Sequence, residues 1–132
     1  MPNVSVIIPV LPVKDLERAH RFYCDILGFL EPWSFGEPPQ YGGVRADLEK
    51  MPAIHLTVNT ERSPGEIYVI LDDVDSYFAQ VKAAGAEFVF ELGVREYGMR
   101  DFMVKDPDGN QLSFAADSSG DTDSSGDTDK SG

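Results

Sequence analysis

A single cysteine, Cys24, excludes an intrachain disulfide, so packing and hydrogen bonds must hold the fold. One unpaired thiol fits a reducing compartment, and a cytoplasmic location is expected. Basic residues are scarce: 11 Lys and Arg stand against 23 Asp and Glu, a net charge of −12. That balance repels nucleic acid and anionic membrane and favours cationic small molecules near a cleft. No apolar run is long enough to span a bilayer. The opening MPNVSVIIPVLPV has no basic segment before its apolar stretch and is broken by prolines, so no signal peptide is expected. The body contains neither G-x-S-x-G nor a phosphate-cradling glycine loop. A serine nucleophile and a nucleotide site therefore have no foothold.

Large side chains are also missing from 117–132, DSSGDTDSSGDTDKSG, which repeats DSSGDT twice. A segment without apolar side chains cannot offset its ordering entropy, so a disordered acidic tail is expected. Five aspartates and one lysine there leave residues 1–116 as the folded body, with a charge of −8.

What remains is one unit written twice. Val4–Leu11 is apolar and β-branched and reads as a strand. Asp15 caps a helix whose stripe is Leu16, Ala19, Phe22, Tyr23, Ile26 and Leu27, ended by Gly28. Strands are predicted over Phe29–Phe35, Tyr41–Leu48 and Ala53–Asn59. The second half repeats this grammar. Glu66–Leu71 reads as a strand, and Asp72 or Asp73 caps a helix with the stripe Val74, Tyr77, Phe78, Val81 and Ala84, ended by Gly85. Strands Glu87–Leu92, Arg100–Lys105 and Gln111–Ala115 follow. The predicted class is α+β: two tandem βαβββ modules, about 4–59 and 66–116, joined by TERSPG. One helix per module covers one sheet face, so a cup-shaped mixed sheet with helices outside is expected, its inner face open to a ligand or partner.

The string DPDGN, with Asp106, Asp108 and Asn110 alternating, imitates the start of a calcium loop. Glycine comes two positions early, and the flanks read as strands. Pro107 and Gly109 instead suit a hairpin turn.

Three stretches carry a family likeness: VLPVKDLERAHRFYCDILGF, YGGVRADLEKMPAIHLTV and YGMRDFMVKDPDGNQLSF. Across 4–116 the chain resembles the glyoxalase / bleomycin-resistance / extradiol-dioxygenase (vicinal oxygen chelate) superfamily, most of all its bleomycin-resistance branch. The resemblance implies four metal-ligand positions, which fall here on Ile8, His55, Glu66 and Ser113. Isoleucine has no donor atom, and a neutral serine is a poor ligand. No metal and no other cofactor is therefore expected, and His55 with Glu66 is the fallback pair. His20 reads as a boundary residue of the helix and Cys24 as a small buried hydrophobe.

Ligand-binding residues are instead expected at Trp33 and Phe35 in the Pro- and Gly-rich stretch EPWSFGEPPQYGG, and at His55, Glu66, Tyr68, Arg100, Phe102 and Ser113 on inner faces, with Tyr97 a further contributor. Aromatic faces among surplus carboxylates suit a flat or cationic ligand. The expected function is metal-free capture of such a ligand, as the resemblance implies for a bleomycin-type antibiotic, in a homodimer that shares its pockets. The alternative is a metal-dependent glyoxalase-like lyase or isomerase, or an extradiol-type dioxygenase.

Overall fold

The computed structural model describes residues 2–49 and 52–117. Two four-stranded mixed sheets account for the architecture. The first has the order β1-β4-β3-β2 and the second β5-β8-β7-β6. They are built from β1 (Val10–Val13), β2 (Leu30–Phe35), β3 (Tyr41–Arg45) and β4 (Ala53–Val58), then β5 (Glu66–Ile70), β6 (Phe88–Val94), β7 (Met99–Lys105) and β8 (Gln111–Asp117). In each sheet the opening strand pairs in parallel with the last strand of its own module and the other neighbours are antiparallel. One helix follows each opening strand, α1 (Leu16–Arg21) and α2 (Val74–Ala83). The duplicated βαβββ pattern is therefore present, as one sheet per module.

Both helices begin where a carboxylate can accept an orphan N–H. Asp15 accepts from Arg18 N at 3.2 Å, and Asp73 accepts from Ser76 N at 3.0 Å. α1 continues as a widened, π-type turn over Phe22–Ile26, and positive φ at Gly28 and Gly85 then lets the chain leave each helix. The stripes face inward: Leu16, Ala19, Tyr23 and Leu27 from the first helical segment and Val74 and Val81 from the second are buried. Leu56, Val104, Leu112 and Phe114 from the strands join them, so the helix-covered faces of both sheets share one core.

Most strand ends shift by one to three residues from the sequence expectation, and two differences bear on the argument. The predicted strand Val4–Leu11 begins only at Val10, and Ile7 is 84% exposed. In the parallel ladder Val10 stands opposite His55, so earlier residues run toward and past the start of β4, where no ladder pairing is made among the described residues. Apolar, β-branched sequence marks a segment suited to a strand, but the ladder needs a neighbour. Asp117, expected in the tail, closes β8 opposite Met99. The rest of the tail lies outside the described residues.

The modules are tied together at the DPDGN turn, which forms the β7–β8 hairpin with φ of +90° at Gly109. Asp106 and Asn110 are buried. Asp106 Oδ1 accepts from the N–H groups of Asp108 and Asn110, and Oδ2 accepts from the Tyr23 hydroxyl at 2.8 Å and from Asn110 Nδ2. Asn110 also donates to the Pro12 carbonyl at 2.8 Å and accepts from Gly65 N at 2.7 Å. Asp108 accepts from Lys14 N and from Arg18. The carboxylate of Asp106 is thus saturated by protein donors, which is why a calcium-like sequence works here as a joint. Replacing Asn110 with Ala strands the Pro12 and Gly65 groups, and a loss of about 3 kcal/mol is expected in urea unfolding. A loss below about 0.5 kcal/mol would show that the joint contributes little.

Candidate functional site

Each sheet has a face that no helix covers. On the first module, alternation places Tyr41, Gly43 and Arg45 of β3 and Ala53, His55 and Thr57 of β4 there. Gly43 sits between Trp33 on one side and His55 on the other. A Cβ at Gly43 would come within 3.0 Å of the Trp33 ring and 2.8 Å of the Ile54 carbonyl. The missing side chain lets the indole lie across β3 and meet His55 edge-on, ring centroids 5.2 Å apart. The Tyr41 hydroxyl is 2.9 Å from His55 Nδ1, which fixes the imidazole, and the Trp33 and Tyr41 rings are 6.0 Å apart. Neighbouring Gly42 serves the opposite face, where a Cβ would touch Leu16 of α1. Trp33 is 38% exposed and Phe35, further along the same edge strand, 75%.

On the second module the free face carries Glu66, Tyr68 and Ile70 of β5, Ser113 and Ala115 of β8, and Asp101 and Met103 of β7. Tyr68 reaches across β8 to place its hydroxyl 3.2 Å from Asp101 Oδ2. Asp101 is fully buried, held by Arg95 Nε at 2.6 Å and the Tyr97 hydroxyl at 2.6 Å. Desolvation, followed by the bond to Asp101, pushes the Tyr68 phenol up to about 12. The Tyr97 phenol is raised too, first by its bond to Asp101.

The sequence-predicted site residues therefore divide. Trp33 and His55 meet on one open face, with Phe35 exposed on the strand that carries Trp33. Tyr68 and the exposed Glu66 lie on the other module. Two residues lie on the opposite face from the one expected, and a third has the expected face but is covered. Phe102 points to the helix side, fully buried among Tyr77, Phe78, Phe88 and Phe114, because its parity on β7 is opposite to that of Asp101. Arg100 shares that side and pairs with Asp75 of α2 at 2.6 Å. Ser113 has the expected parity but is 2% exposed, on the strand that Tyr68 crosses. Asp101 and Arg95 went unnoticed. Their signal was an acidic residue set between Met99 and Met103 on the open face of β7.

Of the four metal positions that the resemblance implies, Ile8 precedes β1 and has no donor and Ser113 is a covered neutral hydroxyl, which leaves His55, its Nδ1 beside the Tyr41 hydroxyl, and the exposed Glu66. Among the described residues no three His, Cys, Asp or Glu side chains are gathered as a metal would require. Hollows of about 210 Å³, lined by Ile7, Phe29, Ile54 and Val69, and about 430 Å³, lined by Phe29, Ile70 and Tyr77, lie at the module junction. Neither is lined by Trp33 or His55. No helix among the described residues is long and apolar enough to cross a membrane.

Two βαβββ modules with an uncovered face each define the class, and the family follows from sequence. The chain belongs to the Glyoxalase/Bleomycin resistance protein/Dioxygenase superfamily, whose sequence model matches residues 6–114. It is 29% identical over 129 aligned positions to a lactoylglutathione lyase of Haemophilus influenzae, covering 88% of this chain and 95% of that one. Among solved structures it is similar to a glyoxalase-related enzyme from Clostridium phytofermentans, with a TM-score of 0.74, 21% identity and coverage of 88% of this chain and 97% of that one. TioX from Micromonospora sp. ML1 superposes with a TM-score of 0.73 at 21% identity, covering 86% of this chain and 99% of that chain. At such identities these structures bear on the fold alone.

Two outcomes are expected. Gly43→Ala should displace the indole and red-shift the emission of the single tryptophan without altering far-ultraviolet circular dichroism; unchanged emission would mean that Trp33 does not depend on that gap. Tyr68 is favoured in its neutral form by the fold. Its contribution to stability is in place below its ordinary value near 10 and is lost as pH climbs through about 12. Ultraviolet phenolate titration of Tyr68→Phe should therefore lack one ionisation near pH 12, and loss of an ionisation near pH 10 would contradict the assignment.

Proposed function

We propose that this protein captures a flat, cation-bearing small molecule on the helix-free faces of its sheets, without metal chemistry, in the manner of the bleomycin-resistance branch. The observation that carries this reading is the exchange of properties at the face: of four superfamily ligand positions, Ile8 has no donor and Ser113 is covered, while Trp33, Tyr41 and His55 assemble an aromatic platform. The charge of −8 on the body favours a cationic partner. A cation over a ring contributes about 0.5–2 kcal/mol, whereas micromolar affinity requires about 8 kcal/mol, so several ring contacts and apolar burial must act together. A single chain leaves the platform open. A homodimer that sets one copy's free face against the other's would close it and cover Phe35 and Ile70, which are exposed in one copy. The acidic surface and the unpaired Cys24 are compatible with a cytoplasmic protein.

Titration with a bleomycin-type glycopeptide should quench Trp33 emission with a micromolar midpoint. A flat response to millimolar ligand would remove the antibiotic from consideration. Light scattering should give the mass of two chains, and a monomer at micromolar concentration would leave the shared pocket without support.

The sequence identity to a lactoylglutathione lyase favours a second reading, in which His55 and Glu66 hold a divalent ion weakly and the substrate completes its coordination. Purified protein should contain well under one equivalent of zinc, nickel, iron or manganese, and added metal should confer no lyase activity on lactoylglutathione. Stoichiometric metal that is lost in His55→Ala would establish the lyase reading instead.

A further inference from the structure

The constellation around Asp101 has properties that the Trp33 platform lacks. A carboxylate with no exposure requires donors on both oxygens, and here Oδ1 accepts from Arg95 Nε while Oδ2 accepts from both tyrosine hydroxyls. Arg95 is committed to this joint. Its Nη2 donates to the carbonyls of Glu91 at 2.6 Å and Asp101 at 3.0 Å, and its guanidinium lies 4.5 Å from the centroid of the Phe90 ring. The ion pair is thus internally neutral and tied to the backbone of β6 and β7.

The consequence falls on the tyrosines. A phenol has one proton and two lone pairs. Tyr68 and Tyr97 both turn their protons toward Asp101 Oδ2, so what their hydroxyls can still offer a visitor is lone pairs. Both oxygens bond to one atom and are also hydrogen-bond neighbours of each other, so they lie side by side and share part of their accepting capacity. Raised ionisation of both phenols keeps those protons in place across the physiological range. The rings remain accessible, Tyr68 at 47% and Tyr97 at 64%. Two aromatic rings beside two fixed acceptors, in a body of net charge −8, complement a flat cation that carries N–H groups. An anion would meet no hydroxyl proton there.

We propose that Tyr68 and Tyr97, oriented by Asp101, form a subsite that reads the N–H donors of a planar cationic group such as an arylamidinium or arylguanidinium. This rests on the binding reading above and specifies the ligand chemistry of one face. A cation without N–H groups finds the rings but not the oxygens, so the subsite discriminates between cations of equal charge. Asp101 acts as a positioning residue through the two hydroxyls.

Benzamidinium and phenyltrimethylammonium separate these contributions, since both are aromatic cations and only the first has N–H donors. The full chain is titrated with each while backbone amide signals of residues 66–70 and 95–101 are followed by NMR. Benzamidinium should bind there about tenfold more tightly. Tyr68→Phe and Tyr97→Phe keep the rings and should each shrink the preference at least threefold while phenyltrimethylammonium affinity holds. Both variants leave Asp101 paired with Arg95, so they remain testable where Asp101→Asn fails to fold. Equal affinities in the unaltered protein, or an undiminished preference in both variants, would overturn the subsite. If Trp33 still responds to the glycopeptide in that case, the capture reading survives; if neither probe nor glycopeptide binds, both fall.

Discussion

The buried hydrogen-bond joint at Asp106 and Asn110 is the constraint on which the rest depends. Through it the β7–β8 turn holds the Tyr23 hydroxyl of the first helical segment, the Pro12 carbonyl of β1 and the Gly65 amide at the start of β5. Those groups come from both modules and from the linker between them. Each is withdrawn from water and must find a protein partner, so the turn fixes the modules by polar geometry while the shared apolar core supplies the bulk of the burial. With the helix sides locked together, the opposite faces of both sheets are left free.

Those free faces are kept open by opposite means. On the first module a glycine makes room: Gly43 lets Trp33 lie over β3 and reach His55, while adjacent Gly42 lets α1 approach from behind. On the second module a buried charge organises the surface: Asp101 draws two phenols and a guanidinium toward one point. The first face is a rigid aromatic platform and the second an array of oriented hydroxyls. Among the described residues neither face gathers three His, Cys, Asp or Glu side chains. One fold thus carries two differently built free faces, and function resides in the side chains placed on such a scaffold.

The joint and the faces are also linked along β7 and β8. Alternation sends Phe102 and Val104 into the core and Asp101 and Met103 outward, so one hairpin carries both the packing and the candidate subsite. Register in this hairpin is consequently strongly specified. A slip of one residue would turn Phe102 out of the core and press the Asp101 carboxylate against the helix side.

Local signals in the sequence determined the class of fold. The capping aspartates Asp15 and Asp73, the helix-ending Gly28 and Gly85, the apolar stripes and the Pro-Asp-Gly turn each act within a few residues, and the structure has them at those positions. The aromatic character of the free faces was legible in Trp33 and Tyr68. Partnering was not. Val4–Ile8 has strand composition but joins no ladder among the described residues, Arg100 and Phe102 were given the wrong face by uncertainty of one residue in register, and Ser113 is covered in the fold. Asp101 became a candidate only when β5 and the β6–β7 hairpin brought Tyr68, Tyr97 and Arg95 to it. Short-range chemistry is written in the order of residues, whereas exposure and long-range hydrogen bonding depend on which strands lie side by side, and only the tertiary structure decides that.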